Sequence, residues 1–134
     1  MIEYKELTFR SQEAIKALYQ QHGWLAYLQD DAKLARAFEQ SLFTLGAYDG
    51  GKLIGFVRCV GDGEHIVLVQ DLIVEENHLR QGIGKSLMQS VYERFADVRM
   101  LMLLTDAMDE RANAFYQSVG MTKLEQNGCV TYMR

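Results

Sequence analysis

Apolar residues alternate with polar ones in several short stretches of the chain, and between these stretches they recur every three or four residues. Alternation is typical of half-buried strands, and the wider spacing is typical of amphipathic helices. The predicted strands are 2–9, 43–48, 52–60, 65–74, 98–104, 121–124 and 130–133. The predicted helices begin after Ser11, after Asp30 or Asp31, after Gly82 and at Asp109. The pattern therefore predicts a chain in which strands and helices are interspersed.

Turn signals indicate how some neighbouring strands connect. Asp49-Gly50-Gly51 separates two alternating stretches and is a strong hairpin signal, and Asn127-Gly128 separates the last two predicted strands. The resulting order is β-α-α-β-β-β-α-β-α-β-β. This order predicts the α/β (α+β) class, with a mixed, mostly antiparallel sheet, helices on both of its faces and a parallel last βαβ unit.

Length and composition are those of an ordinary globular protein. The chain has 134 residues, 49% of them apolar and 24% charged, and we expect one domain over residues 1–134. The net charge of −4 argues against binding to nucleic acid or to an anionic membrane. No stretch reaches the roughly 20 apolar residues of a membrane span, and no signal peptide is recognisable, so a cytoplasmic location is expected. Cys59 and Cys129 are too few for a disulfide framework or a metal site.

The stretch from Val67 to Val91 predicts an anion-binding site. An apolar strand ends in polar residues, Gly82 and Gly84 follow, and a pattern of helical spacing then begins. The first turn of a helix has N–H groups without intrahelical partners, and its dipole favours negative charge. Because glycine lets a ligand approach this backbone closely, the loop suits a phosphate group.

Two common phosphate-binding motifs fit this loop poorly. The dinucleotide motif G-x-G-x-x-G requires a third glycine at the position of Leu87. The Walker A motif agrees at Gly84-Lys85-Ser86, but its first glycine would fall at Leu79. The glycine positions exclude the dinucleotide motif and leave a degenerate nucleotide-binding domain as a weak alternative.

A third type of loop fits better, because the sequence resembles the GNAT superfamily of N-acetyltransferases over nearly the whole chain. The acetyl-CoA motif of that family, Arg/Gln-x-x-Gly-x-Gly/Ala between a strand and a helix, corresponds to Leu79–Gly84. A second signature, Phe/Leu-Tyr-x-x-x-Gly-Phe at the end of a helix, corresponds to Phe115–Met121. The chain departs from the family where Leu79 replaces Arg or Gln, Met121 replaces Phe, and Asp109 replaces an Asn of many members.

The resemblance implies acetyl-CoA as cosubstrate and suggests where this chain would bind it. Strand residues Leu72, Ile73 and Val74 would bind the pantetheine amides through their backbone, as an added strand does. The residues expected to surround the pyrophosphate are Leu79, Arg80, Gln81, Gly82, Ile83, Gly84 and Lys85. Asn113, one turn after Asp109, is a further candidate for cofactor contact.

By the same resemblance, the reaction needs an acid for the departing thiolate and a base for the incoming amine. Tyr116 is the candidate acid and a cofactor contact, since tyrosine stays protonated to about pH 10 whereas a thiol has a pKa of about 8.5. Leu68 and Gln70 occupy the positions where relatives carry a base, and neither can act as one. Asp71 is the nearest carboxylate, so it is either the base or a hydrogen-bonding core residue, and water is the alternative base. Strand alternation predicts that Gln70 and Asp71 point to opposite faces.

The acceptor is expected to be an amine of a small molecule or peptide, bound between the first two helices and the central strands. Trp24, Tyr27 and Gln70 are the candidate contacts, and Trp24 is equally suited to the core. The leading interpretation is an acyltransferase in which a primary amine attacks the thioester directly. The alternative is a non-catalytic acyl-CoA-binding or sensor module, which Leu79, Asp109 and the missing base favour. Both a monomer and a homodimer are compatible with an open sheet edge.

Overall fold

The computed structural model describes residues 1–7 and 12–134. Its strands are β1 Ile2–Glu6, β2 Phe43–Asp49, β3 Lys52–Gly61, β4 Ile66–Val74 and β5 Met100–Leu103. Its α-helices are α1 Gln12–Gln21, α2 Asp31–Glu39, α3 Ile83–Arg94 and α4 Glu110–Ser118. Short 3₁₀ helices span Leu25–Leu28, Glu76–His78 and Leu124–Asn127. The predicted cap Ser11 and the end of the first predicted strand lie outside the described residues.

Two of the predicted helix starts are confirmed by their caps. Asp30 accepts a hydrogen bond from the backbone N–H of Lys33 over 3.0 Å, at the start of α2. Asp109 accepts one from the N–H of Ala112 over 3.0 Å, at the start of α4. Each carboxylate satisfies an N–H group that has no partner within its helix, which is why these residues begin the helices.

The chain divides into two compact units, residues 1–103 and 104–134. The first unit contains the whole described sheet, and the second contains α4 and the segment that follows it. The single domain expected over residues 1–134 stays a prediction.

The sheet has the order β1-β2-β3-β4-β5. The first three pairings are antiparallel, and β4 pairs with β5 in parallel across the connection through α3. The hairpin predicted at Asp49-Gly50-Gly51 joins β2 to β3, with Asp49 opposite Lys52. The predicted α/β class with a mixed, mostly antiparallel sheet is therefore confirmed.

Helices lie on both faces of this sheet, as predicted. Phe56 and Ile73 of the sheet belong to one core cluster with residues of α1 and α2. Helix α1 contributes Ile15, Leu18 and Tyr19, and helix α2 contributes Leu34 and Phe38. The ring of Phe95, just after α3, meets the ring of Phe43 edge-on at 5.8 Å between centroids. Phe43 pairs with Cys59, and successive side chains from Phe56 to Cys59 alternate between faces. The end of α3 therefore lies on the face opposite α1 and α2.

The two closing strands predicted at 121–124 and 130–133 are wrong. Leu124–Asn127 is a 3₁₀ helix, and Gly128 ends it with a φ of 82°. Asn127 donates hydrogen bonds to the Thr122 hydroxyl at 3.0 Å and to the Lys123 carbonyl at 3.3 Å. A glycine in the left-handed region serves a hairpin turn and a helix end equally well, and these local bonds favour the helix end.

Candidate functional site

The loop between β4 and α3 has the geometry of an anion-binding helix start. Gly82 caps α3 with a φ of 77°, and no side chain of residues 1–7 or 12–134 caps the start of the helix. The first helical bond of this loop runs from the Ser86 N–H to the Gly82 carbonyl over 2.9 Å, so the N–H groups of residues 83–85 lie before it. An added Cβ at Gly82 would meet nothing within 4 Å, so this glycine is needed for its backbone angle. The fold thus leaves a turn of backbone donors uncapped at the predicted site.

Arg80 in the same loop has a φ of 65°, a left-handed conformation that side chains other than glycine rarely adopt. Such a residue stores strain of about 1–2 kcal/mol, and strained residues gather at binding sites. Arg80, Gln81 and Lys85 are exposed, Leu79 is half-buried, and the Ile83 side chain is buried. The two charged residues of the predicted loop, Arg80 and Lys85, are therefore accessible to solvent.

The second half of β4 has a free backbone edge. β5 pairs only with Ile66–Val69, so the structure gives the remaining residues of β4 no ladder on that side among the described strands. The N–H of Glu75 donates to the Ile54 carbonyl of β3 over 2.7 Å, so by alternation the backbone groups of Ile73 also face β3. Those of Leu72 and Val74 face the free edge. Of the three predicted strand contacts, Leu72 and Val74 thus have backbone groups available to a ligand. The backbone groups of Ile73 face β3 instead, and its side chain lies in the core.

A β-bulge in β4 corrects the prediction for Gln70 and Asp71. Arg58 pairs with Asp71, but the next residue, Cys59, pairs with Val69, which leaves Gln70 as an extra residue. A bulge breaks the simple alternation of side chains. The side chains of Gln70 and Asp71 lie on the same side of the sheet. Both form hydrogen bonds to the Tyr27 hydroxyl, Gln70 at 3.0 Å and Asp71 at 2.7 Å. The prediction of opposite faces is wrong.

Asp71 is at the centre of a buried polar cluster. It is 1% exposed, and its Oδ2 accepts from the Tyr19 hydroxyl at 2.7 Å and from Arg58 Nε at 2.6 Å. Its Oδ1 accepts from the Tyr27 hydroxyl at 2.7 Å. Arg58 also donates to the Ser41 hydroxyl at 3.2 Å. Both carboxylate oxygens are therefore occupied by donors from the protein.

The electrostatics of this cluster keep Arg58 charged and the phenols neutral. Burial alone would lower the pKa of the Arg58 guanidinium, but the adjacent Asp71 outweighs it, and the pKa lies above its ordinary value. Burial raises the pKa of Tyr19 and of Tyr27, and the Asp71 carboxylate adds to both effects. The donation from Gln70 acts in the opposite direction on Tyr27.

Sequence reasoning named Asp71 and Tyr27 but missed Tyr19, Arg58 and Ser41 as members of this cluster. One signal was available: Arg58 is the charged residue within the apolar stretch from Leu53 to Val60, and a buried charge needs a partner. The remaining two members depend on how helices pack on the sheet. No periodicity reveals that packing.

Two aromatic rings lie close to the ring of Tyr27, the residue that Gln70 contacts. The Tyr27 ring stacks on Tyr19 with centroids 4.2 Å apart, and Trp24 lies 6.5 Å from Tyr27. Trp24 is 37% exposed, so part of its indole faces solvent. The three predicted acceptor contacts, Trp24, Tyr27 and Gln70, are thus brought together in the first unit.

In the second unit, α4 holds the remaining predicted residues. The Asn113 amide nitrogen donates to the backbone carbonyls of Asp106 at 2.9 Å and Asp109 at 2.7 Å, which ties it to the start of the helix. Burial raises the pKa of Tyr116 to about 12, and the charge of Asp109 adds to the shift. Tyr116 therefore keeps its proton throughout the neutral range.

Residues 1–7 and 12–134 contain neither a metal-ligand cluster nor a membrane-spanning helix. No group of three or more His, Cys, Asp or Glu side chains there could hold a metal ion. No helix in that part of the chain is both long and apolar enough to cross a bilayer.

Residues 4–121 match the model of the acetyltransferase (GNAT) family. The match spans most of the chain, and the protein belongs to this family.

Comparison with individual proteins agrees with that assignment. An uncharacterised ycf52-like N-acetyltransferase of Prochlorococcus marinus is 30% identical over 118 residues, which are 85% of this chain and 63% of that protein. The chain thus spans less than two thirds of the length of this curated relative. A GNAT family acetyltransferase from Streptococcus pneumoniae has a TM-score of 0.84 and 34% identity, over 100% of this chain and 96% of its own. AAC(6')-Iy, solved in complex with the bisubstrate analogue CoA-S-monomethyl-acetylneamine, has a TM-score of 0.78 and 20% identity, over 100% and 97% of the two chains.

Proposed function

We propose that the chain is an acetyl-CoA-dependent N-acetyltransferase that transfers the acetyl group to a primary amine of a small molecule or peptide. The main support within the structure is the succession of a strand with a free edge and an uncapped helix start. Membership of the acetyltransferase family supports acetyl-CoA as the ligand of this strand edge and helix start. Acetyl-CoA supplies the activated thioester.

Each part of this surface suits one part of the cosubstrate. The uncapped N–H groups of residues 83–85, with the exposed charges of Arg80 and Lys85 nearby, suit a pyrophosphate. The free backbone groups of Leu72 and Val74 suit the amides of the pantetheine arm, which would add to the sheet as a further strand. A backbone N–H of this edge would also stabilise the negative charge that develops on the thioester oxygen. Most of the hydrogen bonds to the pyrophosphate would come from backbone N–H groups, so the replacement of Arg or Gln by Leu79 does not prevent binding.

Tyr116 acts as the general acid in this proposal. Its pKa of about 12 is roughly 3.5 units above that of a free thiol, so complete proton transfer to a thiolate is uphill by about 5 kcal/mol. Tyr116 is therefore a hydrogen-bond donor to the sulfur as its charge develops.

In this proposal Asp71 is a hydrogen-bonding core residue and not the base. Its oxygens are occupied by Tyr19, Tyr27 and Arg58, and proton uptake would leave the Arg58 charge buried without a partner. Solvent water then removes the proton from the amine. Attack by the neutral amine on the thioester forms the N–C bond, and collapse of the intermediate breaks the C–S bond. The nitrogen loses its second proton to water, and the departing thiolate, stabilised by the hydrogen bond from Tyr116, takes up a proton from solvent and leaves as the thiol of CoA.

The alternative is an acyl-CoA-binding module without turnover. It is favoured by the same observation, since Asp71 is fully engaged and Gln70 cannot take up a proton. The two functions share the binding site and differ only in whether CoA thiol appears.

The test combines acetyl-CoA binding with thiol release across a panel of primary amines. Transferase function predicts binding and thiol release with at least one amine, whereas a sensor predicts binding alone. Preference for Mg-ATP over CoA would instead support a nucleotide-binding domain. Gly82→Ala should weaken acetyl-CoA binding by straining the loop. Gly50→Ala is the matched control, since Gly50 also has a positive φ, 57°, and no atom within 4 Å of an added Cβ.

A further inference from the structure

The polar cluster around Asp71 has a fixed direction of proton donation. A carboxylate can only accept hydrogen bonds, so the single hydroxyl proton of Tyr27 lies on the bond to Asp71 Oδ1, 2.7 Å long. Tyr19 and Arg58 donate to Oδ2 in the same way. All three neighbours are thereby committed as donors.

This direction determines which end of the Gln70 amide faces Tyr27. The Tyr27 oxygen has already given its proton to Asp71, so towards Gln70 it can only accept. The amide nitrogen Nε2 must therefore be the atom 3.0 Å from Tyr27, and Oε1 points away. Gln70 is exposed, and its Oε1 has no hydrogen-bond partner in the described part of the chain. The cluster thus presents one oriented acceptor oxygen to solvent.

We infer that Gln70 determines acceptor specificity by accepting a hydrogen bond from the amine of the substrate through Oε1. Tyr27 and Asp71 are positioning residues that hold the amide in this orientation. The inference rests on the proposed function and deepens it, because it identifies the contact that selects an amine. The bulge in β4 is what makes the contact available, since it turns Gln70 to the side of Tyr27.

The surroundings of Oε1 favour a cationic amine but provide it with no carboxylate. Trp24 is 37% exposed, its ring centroid lies 6.5 Å from that of Tyr27, and aromatic rings attract an ammonium group. The charge of Asp71 is already balanced by Arg58 at 2.6 Å. Because a carboxylate contact would raise the pKa of the bound amine, a neutral amide leaves the amine easier to deprotonate. The substrate class is therefore a primary amine that binds as an ammonium ion and reacts after losing a proton to water.

The first test replaces Gln70 with a side chain of similar length and no acceptor oxygen. Gln70→Met should raise the KM for the amine about tenfold or more and leave the KM for acetyl-CoA within about twofold. Gln89→Met is the matched control, since Gln89 is an exposed glutamine on α3 whose amide donates to Glu93 at 3.3 Å, and it should change neither constant. An unchanged amine KM in Gln70→Met, with wild-type turnover, would overturn the inference and leave the proposed function standing.

The second test asks whether Tyr27 acts through Gln70. Tyr27→Phe keeps the ring that stacks on Tyr19 and removes the hydroxyl that fixes the amide. It should raise the amine KM nearly as much as Gln70→Met, and the double variant should be no worse than Gln70→Met alone. Independent losses that multiply in the double variant would show that Tyr27 has only a structural role.

A readout that needs no turnover completes the experiment. In ¹⁵N-labelled protein, the Gln70 Nε2 proton that donates to Tyr27 should have a shift displaced from that of an ordinary glutamine amide and should exchange more slowly with solvent, and Tyr27→Phe should remove both differences. Amide signals that are the same in both proteins would contradict the oriented amide. A wild-type protein that releases no CoA thiol with any amine would count against the proposed function, whatever these signals show.

Discussion

The Nε atom of Arg58 lies 2.6 Å from Oδ2 of Asp71, and the two residues are only 4% and 1% exposed. They face each other directly across β3 and β4, at the last paired position before the bulge. Two phenols also donate to the carboxylate, and the guanidinium also donates to a serine hydroxyl. A buried ion pair of this kind is tolerated because its hydrogen bonds offset the desolvation of both charges.

Removing one member of this pair should destabilise the protein strongly. Arg58→Met leaves the Asp71 carboxylate buried without a cation, and breaking a buried pair costs about 3–5 kcal/mol. Urea unfolding followed by circular dichroism measures the loss. Lys16→Met is the control, since Lys16 and Asp31 are 3.0 Å apart at the surface, where solvent screens the interaction and little change is expected. Equal losses in the two variants would contradict the role given to the buried pair.

The strain at Arg80 should be measurable apart from its charge. Arg80→Gly removes a side chain held at a φ of 65° and should raise the free energy of unfolding by up to about 1 kcal/mol. Arg80→Ala loses the same charge but keeps the strained backbone, so it should gain no stability. Both variants should weaken acetyl-CoA binding equally, by isothermal titration, if the guanidinium interacts with the pyrophosphate. A stability gain in Arg80→Ala as large as in Arg80→Gly would rule out backbone strain as the cause.

Asp62 should make stability depend on acid pH. Its carboxylate accepts backbone N–H bonds from Glu64, His65 and Ile66 at 2.8–3.0 Å, and these bonds lower its pKa from 3.8 to about 2. A lowered pKa in the folded state contributes stability that is complete above about pH 4 and disappears as the pH falls to about 2.

The variant Asp62→Ala tests this window. It should be less stable than the wild type at pH 7, and the difference should shrink as thermal unfolding is repeated at pH 4, 3 and 2. Asp62→Asn keeps a neutral acceptor, so its smaller deficit should depend less on pH. A deficit of Asp62→Ala that is constant from pH 7 to pH 2 would contradict the carboxylate as its source.

The sequence predicts those elements whose signals are local. Asp30 and Asp109 cap their helices, and Asp49-Gly50-Gly51 turns its hairpin, because each depends on a few neighbouring residues. Asn127-Gly128 is equally local but ambiguous, and it ends a 3₁₀ helix instead of joining two strands.

The arrangement around Gln70 could not be predicted in this way. No glycine or other bulge signal marks the strand from Val67 to Ile73, and alternation alone puts Gln70 and Asp71 on opposite faces. The register that turns Gln70 to Tyr27 depends on the pairing of Asp71 with Arg58, thirteen residues earlier. Long-range pairing of this kind decides the candidate acceptor site, whereas the loop before α3 is set by its own glycines.

The pH profile of turnover should distinguish Tyr116 as an acid from Tyr116 as a base. Because burial raises its pKa to about 12, Tyr116 stays protonated at every pH usable in an assay. The kcat should therefore rise as the amine loses its proton, with no falling limb from Tyr116 below about pH 10. Tyr116→Phe should lower kcat about 10²–10³-fold without changing the shape of the profile, since loss of a general acid has that order of effect. Tyr132→Phe removes the hydroxyl of a tyrosine that is 95% exposed and should leave kcat unchanged. A rising limb that disappears in Tyr116→Phe would instead mean that Tyr116 must be deprotonated to act, which its burial disfavours.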